Sequence, residues 1–251
     1  MKKKIVILCI GLLLGSSFFC FSDSAHQTVF EEAQAAYQKG AFQDSLQKFL
    51  RLTQSGLISP EVYYNTANCY YKLGKIGKAI LFYERAHDIQ KRDEDIHTNL
   101  LIAKKQIKDR WKDISKPFLQ SMLSLITENF SLWELTLSNV VLLWILLILA
   151  ALKLQGKKNR IMQFFFVLFI PMLILCSISL FSALQEKHSH RAILTEKIVS
   201  ARSGPGKSFP ATLTLHEGTS LRIIGQNGIW SKALFPNDTI GWVKSKTYEF
   251  V

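Results

Sequence analysis

Two apolar runs separated by a short basic loop, together Leu132 to Leu184, limit what this chain can become. The first, LWELTLSNVVLLWILLILAAL, holds one acid, Glu134, near its start; the second, IMQFFFVLFIPMLILCSISLFSAL, holds no charge. A bilayer core takes roughly 20 mostly apolar residues as a helix. Both runs reach that length, and neither has the polar stripe of a helix packed in a soluble core. Residues 132–153 and 161–184 therefore read as transmembrane helices. Pro171 inside the second is tolerated in a span as a mild kink, because neighbours satisfy the freed carbonyl. No ionisable residue lies mid-span, which excludes a transporter or a proton relay.

Orientation follows from the loop, residues 154–160, and its flank. Lys153, Lys157, Lys158 and Arg160 crowd there without an acid, and short loops of this kind stay in the cytoplasm. Both flanking segments then face the exported side. Residues 1–25 agree: Lys2, Lys3 and Lys4 precede an apolar stretch, Ile5 to Leu14, and then small residues Ser22, Ser24 and Ala25, the pattern of a secretory signal peptide. Cys20 opens the alternative of lipid attachment, and an uncleaved anchor is another. The expected location is the cytoplasmic (inner) membrane, with the soluble parts on the periplasmic side. Much of the net charge of +12 is absorbed by these topological cations. The rest is interleaved with acids and forms no basic stripe, so nucleic acid is excluded as a partner. Of the four cysteines, only Cys69 falls in an exported soluble segment, which excludes an intramolecular disulfide.

Residues 26–113 repeat themselves. Ala33 recurs as Ala67, Tyr37 as Tyr71, Gly40 as Gly74, Ser45 as Ala79 and Phe49 as Tyr83, each 34 positions on. That period and this pattern of small, aromatic and glycine residues resemble the tetratricopeptide repeat, a helix–turn–helix unit. Asn65 recurs as Asn99 and Val62 as Ile96, so EDIHTNLLIAKKQIKDRWKD reads as a capping helix stacked on the second repeat and ended by Pro117. The domain is then two repeats plus a cap. Repeats of this kind bind segments of other proteins on the concave face of their first helices, which places Tyr64, Asn65, Asn68, Tyr71, Lys72 and Asn99 there. The asparagines have two readings: they hydrogen-bond an extended ligand backbone, or they hold the helix stack. Residues 114–131 carry Phe118, Met122, Leu125, Ile126 and Phe130 at helical spacing. They are a linker packed on the repeats or an amphipathic helix lying on the bilayer, with Trp133 at the membrane interface.

After a linker at 185–191, residues 192–251 alternate short β-prone runs with turns. Asn227-Gly228 between Leu221–Ile224 and Ile229–Leu234 signals a hairpin, and Trp230 and Trp242 read as core residues of a small all-β domain. Ala201-Arg202-Ser203-Gly204-Pro205, Leu215-His216-Glu217-Gly218-Thr219, Trp230 and Gly241-Trp242-Val243 follow in the order of a bacterial SH3-type barrel, and the segment resembles that family. The resemblance implies a binding module for cell-wall peptide or a protein segment.

The expected fold class is thus multi-domain: all-α tetratricopeptide repeats, two transmembrane helices and a C-terminal all-β SH3-type barrel. This order, with the stretch GKAILFYERAHDIQKRDEDIHTNL, resembles the BatE-type proteins of the Bat aerotolerance group. The resemblance implies a membrane scaffold or adaptor working with von Willebrand factor A-type Bat proteins and a MoxR-type ATPase. The alternative is a cell-wall-binding protein that grips peptidoglycan through its SH3-type domain. No catalytic constellation is present. His26, His87, His97, His188, His190 and His216 are scattered, no glycine-rich loop leads into a Lys-Ser/Thr helix start, and Cys69 lies in a repeat helix without a nearby histidine, a core position rather than a nucleophile. Neither enzyme activity nor a cofactor or metal is expected.

Overall fold

The computed structural model describes residues 25–109, 111, 118–154, 160–187 and 190–251. The signal segment with Cys20, the loop cations Lys157 and Lys158, Pro117 and His188 lie outside the described residues.

Helices α1 (residues 25–38), α2 (Phe42–Gln54), α3 (Pro60–Lys72), α4 (Ile76–Ile89) and α5 (Glu94–Lys104) form an antiparallel stack. The repeat is visible in its terminators. Gly40 and Gly74 both take positive φ, +78° and +70°, which only glycine adopts without strain. Each closes its helix with the same paired bonds: Gly40 N–H to Tyr37 O and Ala41 N–H to Ala36 O, then Gly74 N–H to Tyr71 O and Lys75 N–H to Tyr70 O. The starts match too. Ser59 accepts from Val62 N, with Pro60 at the first helical position, and one period later Asp93 accepts from Ile96 N. Phe49, Val62, Ala67, Cys69, Ala79, Ile80 and Tyr83 make the repeat core, all essentially sealed from solvent.

The cap is shorter than the sequence predicts. Helix α5 ends at Lys104, and residues 105–109 turn away instead of continuing to residue 113. Their destination explains the stop: Ile107 packs on the repeat core, while Trp111 packs into the core of the C-terminal sheet.

Helix α6 (Phe118–Asn129) packs against α8, and α7 (Leu132–Leu154) and α8 (Arg160–Lys187) form a hairpin. Both hairpin helices are long and apolar enough to cross a membrane, over Leu132–Ala151 and Gln163–Gln185. Their outer faces are bare, with Trp144, Ile148, Val167 and Phe181 all exposed. Ser177 Oγ donates to Asn139 Oδ1 at 2.7 Å between the helices, and α8 runs through Pro171. Glu134 belongs to an N-terminal cap. It accepts from the backbone N–H and the hydroxyl of Ser131, while Ser131 Oγ accepts from Glu134 N–H, the reciprocal pairing of an S-x-x-E box.

The C-terminal segment is one antiparallel seven-stranded sheet: β1 (Arg191–Leu194), β2 (Ile198–Arg202), β3 (Ala211–His216), β4 (Ser220–Asn227), β5 (Trp230–Leu234), β6 (Ile240–Lys244) and β7 (Tyr248–Phe250), in the order β3-β2-β6-β5-β4-β1-β7. The expected hairpin is present, though shifted. Asn227 pairs with Trp230, so the two loop residues are Gly228, at φ +58°, and Ile229. The expected closed barrel is not. β3 and β7 stay at opposite ends of the ladder, and bulges at Ala201/Arg202 and Ile223/Gly225 curl the sheet without closing it. Each end strand has a contact with the helical part. β7 lies beside α4, with Phe250 O accepting from Arg85, and His216 N–H at the end of β3 donates to Asp109.

Strand alternation joins the two soluble parts. Ala192 and Leu194 face the core of the sheet, whereas Ile193 between them enters the repeat core beside α4. Lys78 pairs with Glu249, and Arg191 holds Asp88 and approaches Glu84. Asp109 accepts from Thr219 Oγ1 at 2.6 Å and His216 N at 2.7 Å, with the His216 imidazole Nδ1 at 2.6 Å. Burial alone would raise the Asp109 carboxyl, but these bonds outweigh it and hold the group below the ordinary carboxylate range. Helix α4 has no side-chain cap of its own, and Glu217 from the β3–β4 turn accepts from the free N–H of Gly77 at 2.9 Å. The approach is tight. A Cβ on Gly77 would sit 2.5 Å from Leu194 O and 3.0 Å from Gly218 N. Gly77→Ala should therefore lower the melting temperature of the full chain in detergent, by about 1–3 kcal/mol of overpacking. The gain of about 1 kcal/mol in helix propensity is outweighed; a rise in melting temperature would refute the close packing.

Candidate functional site

The first helices of the repeats, α1, α3 and α5, line a concave pocket of about 260 Å³ bounded by Tyr37, Tyr64, Asn68, Tyr71, Lys72, Tyr83, Asn99 and Ile102. The sheet sits on α4, away from this mouth. Five of the six residues expected on the concave face converge here. Asn65 does not: its Nδ2 donates to Glu61 O at 2.9 Å, one turn back along its own helix, and it takes no place among the lining residues. Tyr37 was within reach of the sequence, since it is the periodic counterpart of Tyr71. Tyr83 was not, because it belongs to a second helix and only its hydroxyl end reaches the pocket between α3 and α5.

The two readings of the asparagines both hold in part. Asn99 Nδ2 donates to Tyr64 Oη at 2.6 Å, tying α5 to α3, and Tyr83 donates its hydroxyl proton to Asn68 Oδ1 at 2.5 Å. Gln106 Nε2 donates to Tyr71 Oη at 2.5 Å. These bonds stiffen the wall yet use only part of each side chain. Asn68 Nδ2 and Asn99 Oδ1 have no partner among the described residues, and amides need both ends satisfied when covered. Burial, then the neighbouring hydroxyls of Tyr64, Tyr37 and Tyr71, pushes the Tyr83 phenol up, so it remains a donor at any physiological pH. Burial likewise raises Tyr37. Cys69 lies behind the wall, fully buried against Ser45 Oγ at 3.3 Å, with burial raising its thiol. A protonated, sealed thiol is a packing group. Among the described residues no group of three or more His, Cys, Asp or Glu could hold a metal ion.

Lys72 is the sole charged residue among the lining residues, and four phenols supply rigid, amphipathic surface. Such a pocket can take an extended chain: apolar faces against the rings, backbone amides against the asparagines.

Residues 60–93 match the family model of the tetratricopeptide repeat, from the first residue of α3 to the capping aspartate of α5. No curated protein matches the chain. A repeat of this kind points to protein–protein interaction, with protein partners.

The Tyr83–Asn68 bond sets the shape of the wall. Tyr83→Phe should cost about 1–2 kcal/mol by stranding a covered carbonyl. In combination with Asn68→Ala the loss should be less than additive in thermal melts of the full chain; strictly additive losses would mean the two groups do not meet.

Proposed function

We propose that this protein is a membrane-anchored adaptor that presents an exported pocket to a segment of another membrane-associated protein. The observation that carries this reading is the convergence of Tyr64, Asn68, Tyr71, Lys72 and Asn99 on one open concave face above two helices of membrane length. In this reading residues 132–153 and 161–184 cross the inner membrane, 154–160 remains in the cytoplasm, and 26–113 and 192–251 lie in the periplasm behind a signal at 1–25. Trp133, exposed at the start of α7, sits at the bilayer surface, where indole rings are favoured, and α6 lies along it. The resemblance to BatE-type proteins makes von Willebrand factor A-type Bat proteins and a MoxR-type ATPase the partners of choice. An SH3-type module gripping peptidoglycan would need a free sheet, and the β1–β7 end is taken up by α4; that favours the adaptor.

A photo-reactive residue placed at Lys72 or Ile102 in native membranes should give a discrete adduct with a partner protein, and one placed at Lys207, on the far loop of the sheet, should not. Tyr64→Ala should weaken that partner by about 1–2 kcal/mol. Equal adducts from all three positions would remove the pocket from the account.

Topology has its own measurement. Spheroplasts carrying one epitope after Val251 and another in the basic loop are treated with protease. The C-terminal epitope should be digested and the loop epitope should survive until detergent opens the membrane. Survival of the C-terminal epitope would overturn the exported reading.

A further inference from the structure

A second and larger cleft, about 840 Å³, opens on the other side of α5. One wall is the outer surface of α4 and α5, with His87, Lys91, Leu100 and Leu101; the floor is the start of α7, with Leu132 and Trp133. The repeat period says what this space is. In the second repeat, α3 is covered by its following helix, α4, and Ala67 on the covered face is 0% exposed. One period later, Leu101 occupies the same position on α5 and is 45% exposed. Val62 and Ile96, and Cys69 and Ala103, keep their burial across the same period. Among the described residues the third unit therefore has its first helix and lacks the second.

The segment that follows α5 does not suit that helix. Its periodic place is residues 110–123, where Pro117 falls at the counterpart of Tyr83, in mid-helix, and proline breaks a helix interior. Trp111, one of the first residues of that stretch, is instead packed in the core of the sheet. Helix α6 packs on α8 and borders the cleft only with its last turn, at Thr127 and Asn129, leaving Leu101 on α5 exposed.

The cleft also has a charge and an unmet bond. Its cations are Lys91, Lys104 and Arg191 and its acids Glu84 and Asp88. Both acids are already engaged, Glu84 by Lys104 at 2.6 Å and Asp88 by Arg191 at 2.6 Å. The Lys91 ammonium donates to the carbonyl of Thr127, a neutral partner, so its charge stays uncompensated. His87 Nδ1 is buried without a hydrogen-bond partner among the described residues, and the rings of His87 and His97 stand 5.9 Å apart.

We propose that this cleft receives an amphipathic helix with an acidic polar face, supplied by a partner protein, which completes the third repeat. Its apolar stripe covers Leu101 and the ring of Trp133 as α4 covers α3, and its acids meet Lys91 and the histidine pair. A second copy of this chain is the poorer occupant, because even outside the signal segment and the basic loop Lys and Arg outnumber Asp and Glu, which opposes self-association through a positive cleft.

The test uses the full chain in nanodiscs of neutral phospholipid. The probe is a fluorescent peptide with the 14-residue sequence of α4, IGKAILFYERAHDI, made acidic by Lys78→Glu and Arg85→Glu, and read by anisotropy. A basic version carries Glu84→Lys and Asp88→Lys instead. The acidic probe should bind saturably and the basic one about tenfold or more weaker. Leu101→Arg in the chain should weaken the acidic probe by about tenfold or more, while Lys207→Glu on the distant loop leaves it unchanged. Lys91→Glu should weaken the acidic probe and strengthen the basic one, a charge swap that a misfolded variant cannot produce. Absence of saturable binding, indifference to Leu101→Arg, or failure of the swap overturns the proposal. Displacement of the probe by anionic phospholipid in the disc assigns the cleft to a lipid headgroup, and displacement by excess unlabelled chain assigns it to a second copy; either result also overturns it.

Discussion

The contact between Gly77 and the backbone of Leu194 and Gly218 is the constraint on which the rest of the molecule hangs. Helix α4 can come that close only because neither Gly77 nor Gly218, at φ +88°, carries a side chain. Once there, its uncapped N–H finds Glu217, Ile80 and Ile193 share one core, and Lys78, Arg85 and Asp88 reach partners on the sheet and β1. One helix thus serves two cores. Tyr83 on the same helix closes the back of the concave pocket, so the position of the pocket wall and the position of the sheet are one quantity.

Each soluble part needs the other for ordinary reasons of size. A short stack of helix–turn–helix units exposes an apolar flank that must be covered, and a sheet of some sixty residues buries a smaller share of its surface than a larger domain does. The union supplies both. It also reaches both end strands of the open sheet: Arg85 takes the carbonyl of Phe250 at one end, and Asp109 takes the amide of His216 at the other.

The sequence carried the local features well. Gly40, Gly74, Ser59 and Asp93 act through their own backbone, and their spacing declares them. The Asn227-Gly228 signal found its hairpin, one position off, because two-residue loops prefer glycine at positive φ and Asn227 could pair instead. The S-x-x-E box at Ser131 was equally legible, since it depends on four consecutive residues; Glu134 drew notice as an acid at a span rather than as a cap. Asn65 was placed on the concave face by period alone, and period cannot reveal that an amide prefers the carbonyl one turn back. The domain union was beyond reach altogether. Gly77 and Glu217 are 140 positions apart, and nothing in either neighbourhood names the other. The barrel expectation failed because closure is a pairing between strands far apart in sequence, β3 and β7, which local turn and strand signals do not report.

That separation has a consequence in time. Ribosomes add about 5–20 residues per second, so roughly seven to thirty seconds pass between the emergence of Gly77 and that of Glu217. During that interval two long apolar helices emerge while α4 waits with a bare flank. The repeat stack is therefore made as an incomplete half, open to aggregation and proteolysis until the sheet arrives. The order of synthesis, rather than the final energy, sets when this half is most exposed.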